Sequence, residues 1–526
     1  MVVGSGYGGA IAASRLARAG KQVCLLERGR ELQPGEYPDT APEAAREFQL
    51  DTPDGHVGNE AGLYDLHVNP DICVFVGCGL GGTSLVNANV ALEADPRVFA
   101  DPRWPAGLRA DLTTRLQTGY QRAREMLKPT PLPPGIETPK LQALRASAAA
   151  MGAADRFIRP PINVTFEDGV NHVGVEQKAC NLCGDCCTGC NHGAKNTVLM
   201  NYLPDAHNFG ASIFTTVSVT HLSRSGDSWN VHYRLVGEGR EAFNAPEDFV
   251  RARIVVLAAG TLGSTGILLR SAKLGLPLSE KLGQRFTGNG DVLGFSYNGD
   301  AAVRGIGFGH RDPALQTDKV GPCISGAIDL RNANVLEEGM IVEEGSLPGA
   351  LAPFLPLAFN AAAAATQISC TAEQLAREAQ CDVEGSYTGA MQNTQTYLVM
   401  SHDDGAGVIS LENDRVRVTW PRVSRQEIFK SVGGVLDKAT VPSKGIYLED
   451  PISEKIAGQD LITVHPLGGC VMGEDAAQGV VNHKGQVFSS INGDAVYSDL
   501  YVSDGSVIPR PLGVNPLLTI SALAER

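Results

Sequence analysis

Near its start the chain carries Gly4-Ser5-Gly6-Tyr7-Gly8-Gly9, after two valines and before a run with apolar residues at Ala12, Leu16 and Ala19, a helical spacing. Gly20 suits a left-handed helix stop, and Val23 to Leu26 reads as a second strand that Glu27 closes. Strand, glycine turn, helix and strand make one βαβ unit. The pattern Gly4-x-Gly6-x-x-Gly9 in that context is a dinucleotide fingerprint. Its glycines let the backbone turn tightly and approach a pyrophosphate, which the helix N-terminus stabilises. Glu27 is placed to accept both hydroxyls of an adenosine ribose and disfavours a 2′-phosphate, with Arg28 beside it. The alternative is a tight turn packed on a sheet with no nucleotide. NAD and FAD share the fingerprint, so the choice between them rests on the rest of the chain.

At 526 residues the chain suggests two to four domains around a deep core. Its net charge of −14 argues against nucleic acid, which rewards basic stripes, and against an anionic membrane surface. Sixty glycines without a period exclude collagen-like and repeat folds. The longest apolar stretch, 349–365, contains Pro353, Pro356 and Asn360, which makes a membrane-spanning helix a poor reading. A buried or substrate-facing segment is expected there. The first strand is short and the last residues end inside an apparent helix, so the N-terminus reads as truncated, and the sequence leaves a signal peptide open.

Residues 30–70 read as irregular or short helical surface. Residues 105–126 read as helical, and the proline-rich 128–136 as a linker. Segments 212–222 and 228–235 flank Arg224-Ser225-Gly226-Asp227, a hairpin signal. Residues 254–258 read as a strand entering a second glycine turn and a helix to Leu269. The expected fold is α/β. A Rossmann-like FAD-binding domain comprises 1–30, 71–95, 205–296 and 461–526, and a substrate domain on a mixed β-sheet comprises 96–178 and 297–460. Residues 179–204 form a cysteine-rich insert.

Five of the twelve cysteines, Cys180, Cys183, Cys186, Cys187 and Cys190, fall within eleven residues. Cys180, Cys183, Cys186 and Cys190 have the spacing C-x2-C-x2-C-x3-C of iron–sulfur proteins, although Asn191 stands where ferredoxins have proline. Three readings stay open: an iron–sulfur cluster, a zinc site, or thiols that are unligated or disulfide-linked. Cys187 is the odd one in the run. A dense thiol run favours a reducing compartment, and cytoplasmic localisation is the expectation.

Three further stretches complete the pattern: the glycine loop Val76 to Asn89, His465-Pro466-Leu467-Gly468-Gly469-Cys470, and the tail with Ser503-Asp504-Gly505-Ser506 and Gly513-Val514-Asn515-Pro516. Oxidising an alcohol removes a hydroxyl proton and a carbon-bound hydride, and a neutral imidazole can take the proton near working pH. Asn515 followed by Pro516 also suits the start of a helix running to Arg526. With these motifs the chain resembles the glucose–methanol–choline (GMC) flavin oxidoreductases, most of all the bacterial cholesterol oxidase branch.

The resemblance implies non-covalent FAD held by Gly4, Gly6, Gly9, Glu27, Gly81, Gly82, Asn87, Asp504, Gly505 and Asn515. It implies His465 as general base, Asn515 as the second hydrogen-bonding partner of the substrate oxygen, and hydride transfer to flavin N5. It also implies that the last helix aims its positive end at the flavin, where it stabilises the reduced ring. Glu343 matches a glutamate that shifts a steroid double bond in cholesterol oxidases; a solvated pair with Glu344 is the alternative. No histidine lies in 76–89 to attach a flavin covalently, and His56 and His67 upstream lack support for that role. The expected activity is FAD-dependent oxidation of an apolar alcohol, with a sterol in view. Electrons pass to oxygen, or through an iron–sulfur cluster to an electron-acceptor protein. The rival readings are a dehydrogenase that does not use oxygen and a non-catalytic flavin or metal redox protein.

Overall fold

The computed structural model describes residues 1–237, 247–449 and 461–526. Its first sheet has six strands in the order Ser212–Phe214, Cys24–Leu26, Val2–Val3, Val255–Leu257, Val496–Val502 and Gln486–Phe488. All neighbours run parallel except the last pair, which is antiparallel. The chain leaves Val2–Val3 toward one side, and Val255–Leu257 flanks it on the other. The strand order therefore reverses at the Gly4–Gly9 turn, where open α/β sheets bind ligands.

The helix Tyr7–Arg18 covers this sheet, but not with the expected face. Ala10, Ile11, Ala13, Ser14 and Ala17 are buried, Ala12 and Leu16 only half-buried, and Ala19 exposed. Small residues face inward because the helix lies close to its neighbours: Ser14 donates to Asp205 at 2.6 Å, and helix Tyr202–Asn208 packs alongside.

A second six-stranded sheet has the order Ile446–Glu449, Val292–Tyr297, Gln395–Met400, Ile341–Gly345, Ala327–Asp329 and Phe157–Ile158. Every pairing in it is antiparallel, so mixed pairing occurs in the first sheet rather than in this one. Side chains alternate across the sheet. Val342, Tyr397 and Val399 pack under helices Pro139–Ala150 and Glu427–Thr440 with Leu144, Ala148, Leu436 and Ala439. Ile341 and Met400 join the core on the opposite side, beneath the first sheet.

Three local expectations change. Residues 30–70 hold strands Phe48–Thr52, Gly55–Gly58 and Tyr64–His67, which extend a five-stranded sheet containing Cys73–Gly77 and Ile462–Thr463. The final helix starts one residue later than expected: Pro516 is its cap and Leu517–Glu525 its body. Segment 349–365 is helical, with Phe354 and Leu357 exposed rather than buried. Among the described residues, no helix is long and apolar enough to cross a membrane.

Candidate active site

A cavity of about 670 Å³ runs from the first glycine turn to the C-terminal loops. Gly4, Gly6, Glu27, Gly82, Asn87, His465, Asp504, Gly505 and Asn515 line it. The turn is built by close approach. Gly4 has φ +89°, and a Cβ there would meet the Ala258 carbonyl oxygen at 2.4 Å. A Cβ on Gly8 would lie 1.5 Å from the Ser503 carbonyl oxygen, so no side chain fits between the first helix and the C-terminal loop. Around the Cβ position of Gly6, by contrast, there is no atom within 4 Å. Room next to a helix N-terminus is what a pyrophosphate requires.

Gly9 and Gly81 support this cradle from behind. The Gly81 N–H donates to Ser5 Oγ at 2.8 Å, tying the second glycine loop to the first. Ser5 donates to Glu27 through its backbone N–H at 2.9 Å and its hydroxyl at 2.6 Å, and the Gly29 N–H donates to the other carboxylate oxygen at 2.8 Å. Burial raises the Glu27 pKa above the usual carboxylate range, and these donors oppose the shift. Asn87 donates to the Tyr7 hydroxyl at 2.8 Å, leaving its Oδ1 buried without a partner. Asp504 joins elements: it accepts from Gly260 N–H at 3.0 Å, Ser264 Oγ at 2.5 Å, and Ser506 N–H and Oγ at 2.9 and 2.5 Å. His56 and His67 also line the cavity, and His67 Nε2 lies 3.2 Å from Asp65 Oδ1.

His465 follows the strand Ile462–Thr463, and its Nδ1 is 2.9 Å from Asp291 Oδ1. Asp291 Oδ2 accepts from the backbone N–H groups of Val464 and His465 at 3.0 and 3.1 Å. A carboxylate at Nδ1 sets the tautomer with the proton on that nitrogen and leaves Nε2 as the basic one. Sequence reasoning missed Asp291. It also missed Asn289, two residues earlier, which donates to Val514 O at 2.9 Å and accepts from Leu512 and Gly513 N–H at 2.8 and 3.1 Å. The text Gly288-Asn289-Gly290-Asp291 reads as an ordinary turn. In the fold this turn positions both the histidine loop and the asparagine loop.

Asn515 Nδ2 donates to Glu343 Oε2 at 3.1 Å, and its Oδ1 is buried without a partner. Glu343 stands behind Asn515, fully buried, with Oε1 unpartnered. Burial pushes its carboxyl up to about 8, against a smaller opposing pull from Asn515. Glu344 points to the other face, where it pairs with Lys140 at 2.5 Å and accepts from Ser325 and Gly326. The solvated carboxylate pair is therefore excluded, since both side chains are shut away from water.

Cys180, Cys183, Cys186, Cys187 and Cys190 are joined by no disulfide. Lys195 Nζ, buried, donates to Leu85 O at 2.9 Å, Asn87 O at 2.7 Å and Cys186 O at 3.0 Å, so one side chain links the cysteine run to the second glycine loop. Four thiolates on one zinc ion stand about 3.8 Å apart. Among the described residues, no three sulfurs gather within 4.8 Å, so Cys180, Cys183, Cys186 and Cys190 do not form a single-ion site. Among the described residues, the one set of potential ligands that does gather is His221, His232 and Glu247. Its two rings stack at 4.0 Å and 10°, so their in-plane lone pairs run side by side instead of converging.

Comparison with known proteins agrees with this architecture. The GMC oxidoreductase N-terminal model matches residues 7–287 and the C-terminal model residues 424–524. A cholesterol oxidase of Mycobacterium tuberculosis is 27% identical over all of this chain and 89% of its own length. One from Acinetobacter baumannii is 25% identical, with 93% of its length covered. A long-chain-alcohol oxidase of Arabidopsis thaliana is 22% identical, with 65% of its length covered. Among solved structures, pyridoxine 4-oxidase from Mesorbium loti superposes with a TM-score of 0.59 at 16% identity, covering all of this chain and 97% of the other. With an α/β fold, a glycine cradle at the strand-order reversal and family models matching both ends, the chain belongs to the GMC oxidoreductases, FAD enzymes that act on alcohols.

Proposed function

We propose that the chain oxidises the CH–OH group of an apolar alcohol, a sterol or a long-chain alcohol, with His465 as the base. FAD, bound non-covalently along the glycine cradle, supplies the hydride acceptor at N5. The fit of this cofactor rests on the open space at Gly6, the buried carboxylate of Glu27 at the strand end, and the unpartnered amide oxygen of Asn87. In this reading 1–30, 71–95, 205–296 and 461–526 hold the cofactor, and 96–178 and 297–460 hold the alcohol.

The observation that carries the reading is His465, anchored by Asp291, lining the same cavity as Asn515. Asp291 keeps the Nδ1 proton in place. Nε2 accepts the proton of the alcohol, and Asn515 orients the alcohol oxygen through its side-chain amide. Glu343, a protonated acid at neutral pH, is held behind Asn515 as a second proton donor and acceptor. Moving a double bond into conjugation is the chemistry it would serve. Oxygen is the proposed acceptor of the electrons, as the relatives named oxidases suggest.

Anaerobic mixing of the FAD-loaded protein with cholesterol and with a long-chain alcohol tests this reading. Substrate-dependent bleaching of the flavin is expected with one of them. In His465→Ala it is expected to fall by about 10²–10⁴-fold; unchanged bleaching in that variant overturns the assignment. The iron–sulfur reading of Cys180, Cys183, Cys186 and Cys190 has only the sequence spacing behind it, and iron analysis of anaerobically purified protein decides it.

A further inference from the structure

Cys187 and Cys323 lie 136 residues apart in the chain, yet their sulfurs are 3.3 Å apart inside the protein. Neither neighbour is free to drift. The cysteine run is bound to the segments around Cys323 by Phe308 N–H to Cys183 O at 3.0 Å and by Val320 and Gly321 N–H to Leu182 O at 3.1 and 3.0 Å. Ser346 Oγ donates to Gly184 O at 2.6 Å, and Asp185 accepts from Gly309 and Gly349 N–H at 2.9 and 2.8 Å. Cys323 itself is held by its N–H to Cys186 Sγ at 3.4 Å and by its sulfur against Ser346 O at 3.6 Å. A backbone fixed on both sides keeps the two sulfurs facing each other.

We infer that Cys187 and Cys323 form a dithiol that oxidises to a disulfide, a redox-modification site joining the cysteine run to the segment that leads into the strand beside Glu343. The contact at 3.3 Å has to close to the bonded length of about 2.05 Å. The oxidant is hydrogen peroxide. The Cys187 sulfur, the less buried of the two, attacks one peroxide oxygen; the O–O bond breaks and one water leaves. The Cys323 sulfur then displaces the remaining oxygen of the sulfenic acid as a second water, and the S–S bond forms. Two thiols lose two electrons and two protons, and one peroxide becomes two waters. The segment Ser325–Asp329 lies immediately beyond Cys323, and Ala327 pairs with Glu343. The cross-link therefore fastens the cysteine run to the part of the sheet that carries the buried acid.

The test adds peroxide to the folded, FAD-loaded protein, so it does not depend on the proposed alcohol oxidation. After free thiols are blocked, non-reducing digestion and mass spectrometry are expected to show a peptide from the cysteine run joined to the Cys323 peptide. Its mass should be two hydrogens below the sum of the two, with fragment ions placing the bond at Cys187. A reductant is expected to abolish it, and Cys187→Ser to remove it while the other thiols remain. Oxidised wild-type protein is also expected to melt several degrees above the reduced form, a difference absent from Cys323→Ala. The wild-type digest decides the matter even where a variant does not fold. A bond from Cys187 to another member of the run, or sulfinic acid at Cys187 without the joined peptide, overturns the inference.

Discussion

Asp291 Oδ1 lies 2.9 Å from His465 Nδ1, and its second oxygen binds the backbone N–H of the same histidine at 3.1 Å. One carboxylate thus fixes both the ring and the loop that carries it. In Asp291→Asn the loop keeps an acceptor, but the ring loses the charge that holds its tautomer. Flavin bleaching by the alcohol is expected to slow by about 10²-fold or more, with cofactor content unchanged. Stopped-flow reduction checks this; a rate within a factor of two of wild type refutes the positioning role.

The carboxyl of Glu343, pushed up to about 8 by burial, makes stability depend on pH. A folded-state value above the unfolded one means the native state holds the proton more tightly. Its stabilising contribution is complete below the ordinary glutamate range and is lost as pH rises through about 8. Melting temperature is expected to fall between pH 6 and 9 in the wild type and to fall less in Glu343→Gln. Parallel curves for the two proteins refute this.

Lys140 and Glu344 are both fully buried and paired. Lys140→Met leaves a lone carboxylate under the helix, and such breaks cost about 3–5 kcal/mol. A marked drop in melting temperature is expected, and Lys140→Met/Glu344→Gln is expected to recover much of it. Thermal melts of the two proteins check this pairing.

Gly6 and Gly8 differ in a way a binding assay reads. Gly6→Ala places a methyl in open space and is expected to fold while losing FAD affinity by about tenfold or more. Gly8→Ala collides with the Ser503 carbonyl and is expected to yield little folded protein. Flavin titration and soluble yield separate the two outcomes.

The cofactor half was legible because its motifs are local: a turn that only glycine can make sits beside the strand and helix that give it meaning. His465 and Asn515 were legible through the family resemblance. Asp291 and Asn289 were not, because a Gly-Asn-Gly-Asp stretch is ordinary turn text until the fold brings 288–291 against 463–465 and 512–514. The strands within 48–67 were hidden for a related reason. Phe48–Thr52 pairs with Gly55–Gly58 and Tyr64–His67, only Tyr64–His67 reaches Cys73–Gly77, and their polar residues pair with distant arginines, as Asp51 does with Arg415 and Arg417. The buried face of the first helix was misread because alanine and serine carry little hydrophobic signal, although they are the residues that permit close packing.

Glu343 and Glu344 owe opposite fates to parity alone. Neighbours on a strand face opposite sides, so the hydrogen-bond ladder between 341–345 and 396–400 decides which carboxylate meets Asn515 and which meets Lys140. A slip of one residue would exchange the two, sending the acid that meets Asn515 to the lysine and leaving the lysine's partner beside Asn515. The pairing of two ordinary β-strands therefore decides which carboxyl stands behind Asn515 in the wall of the cavity and which is spent on a buried cation.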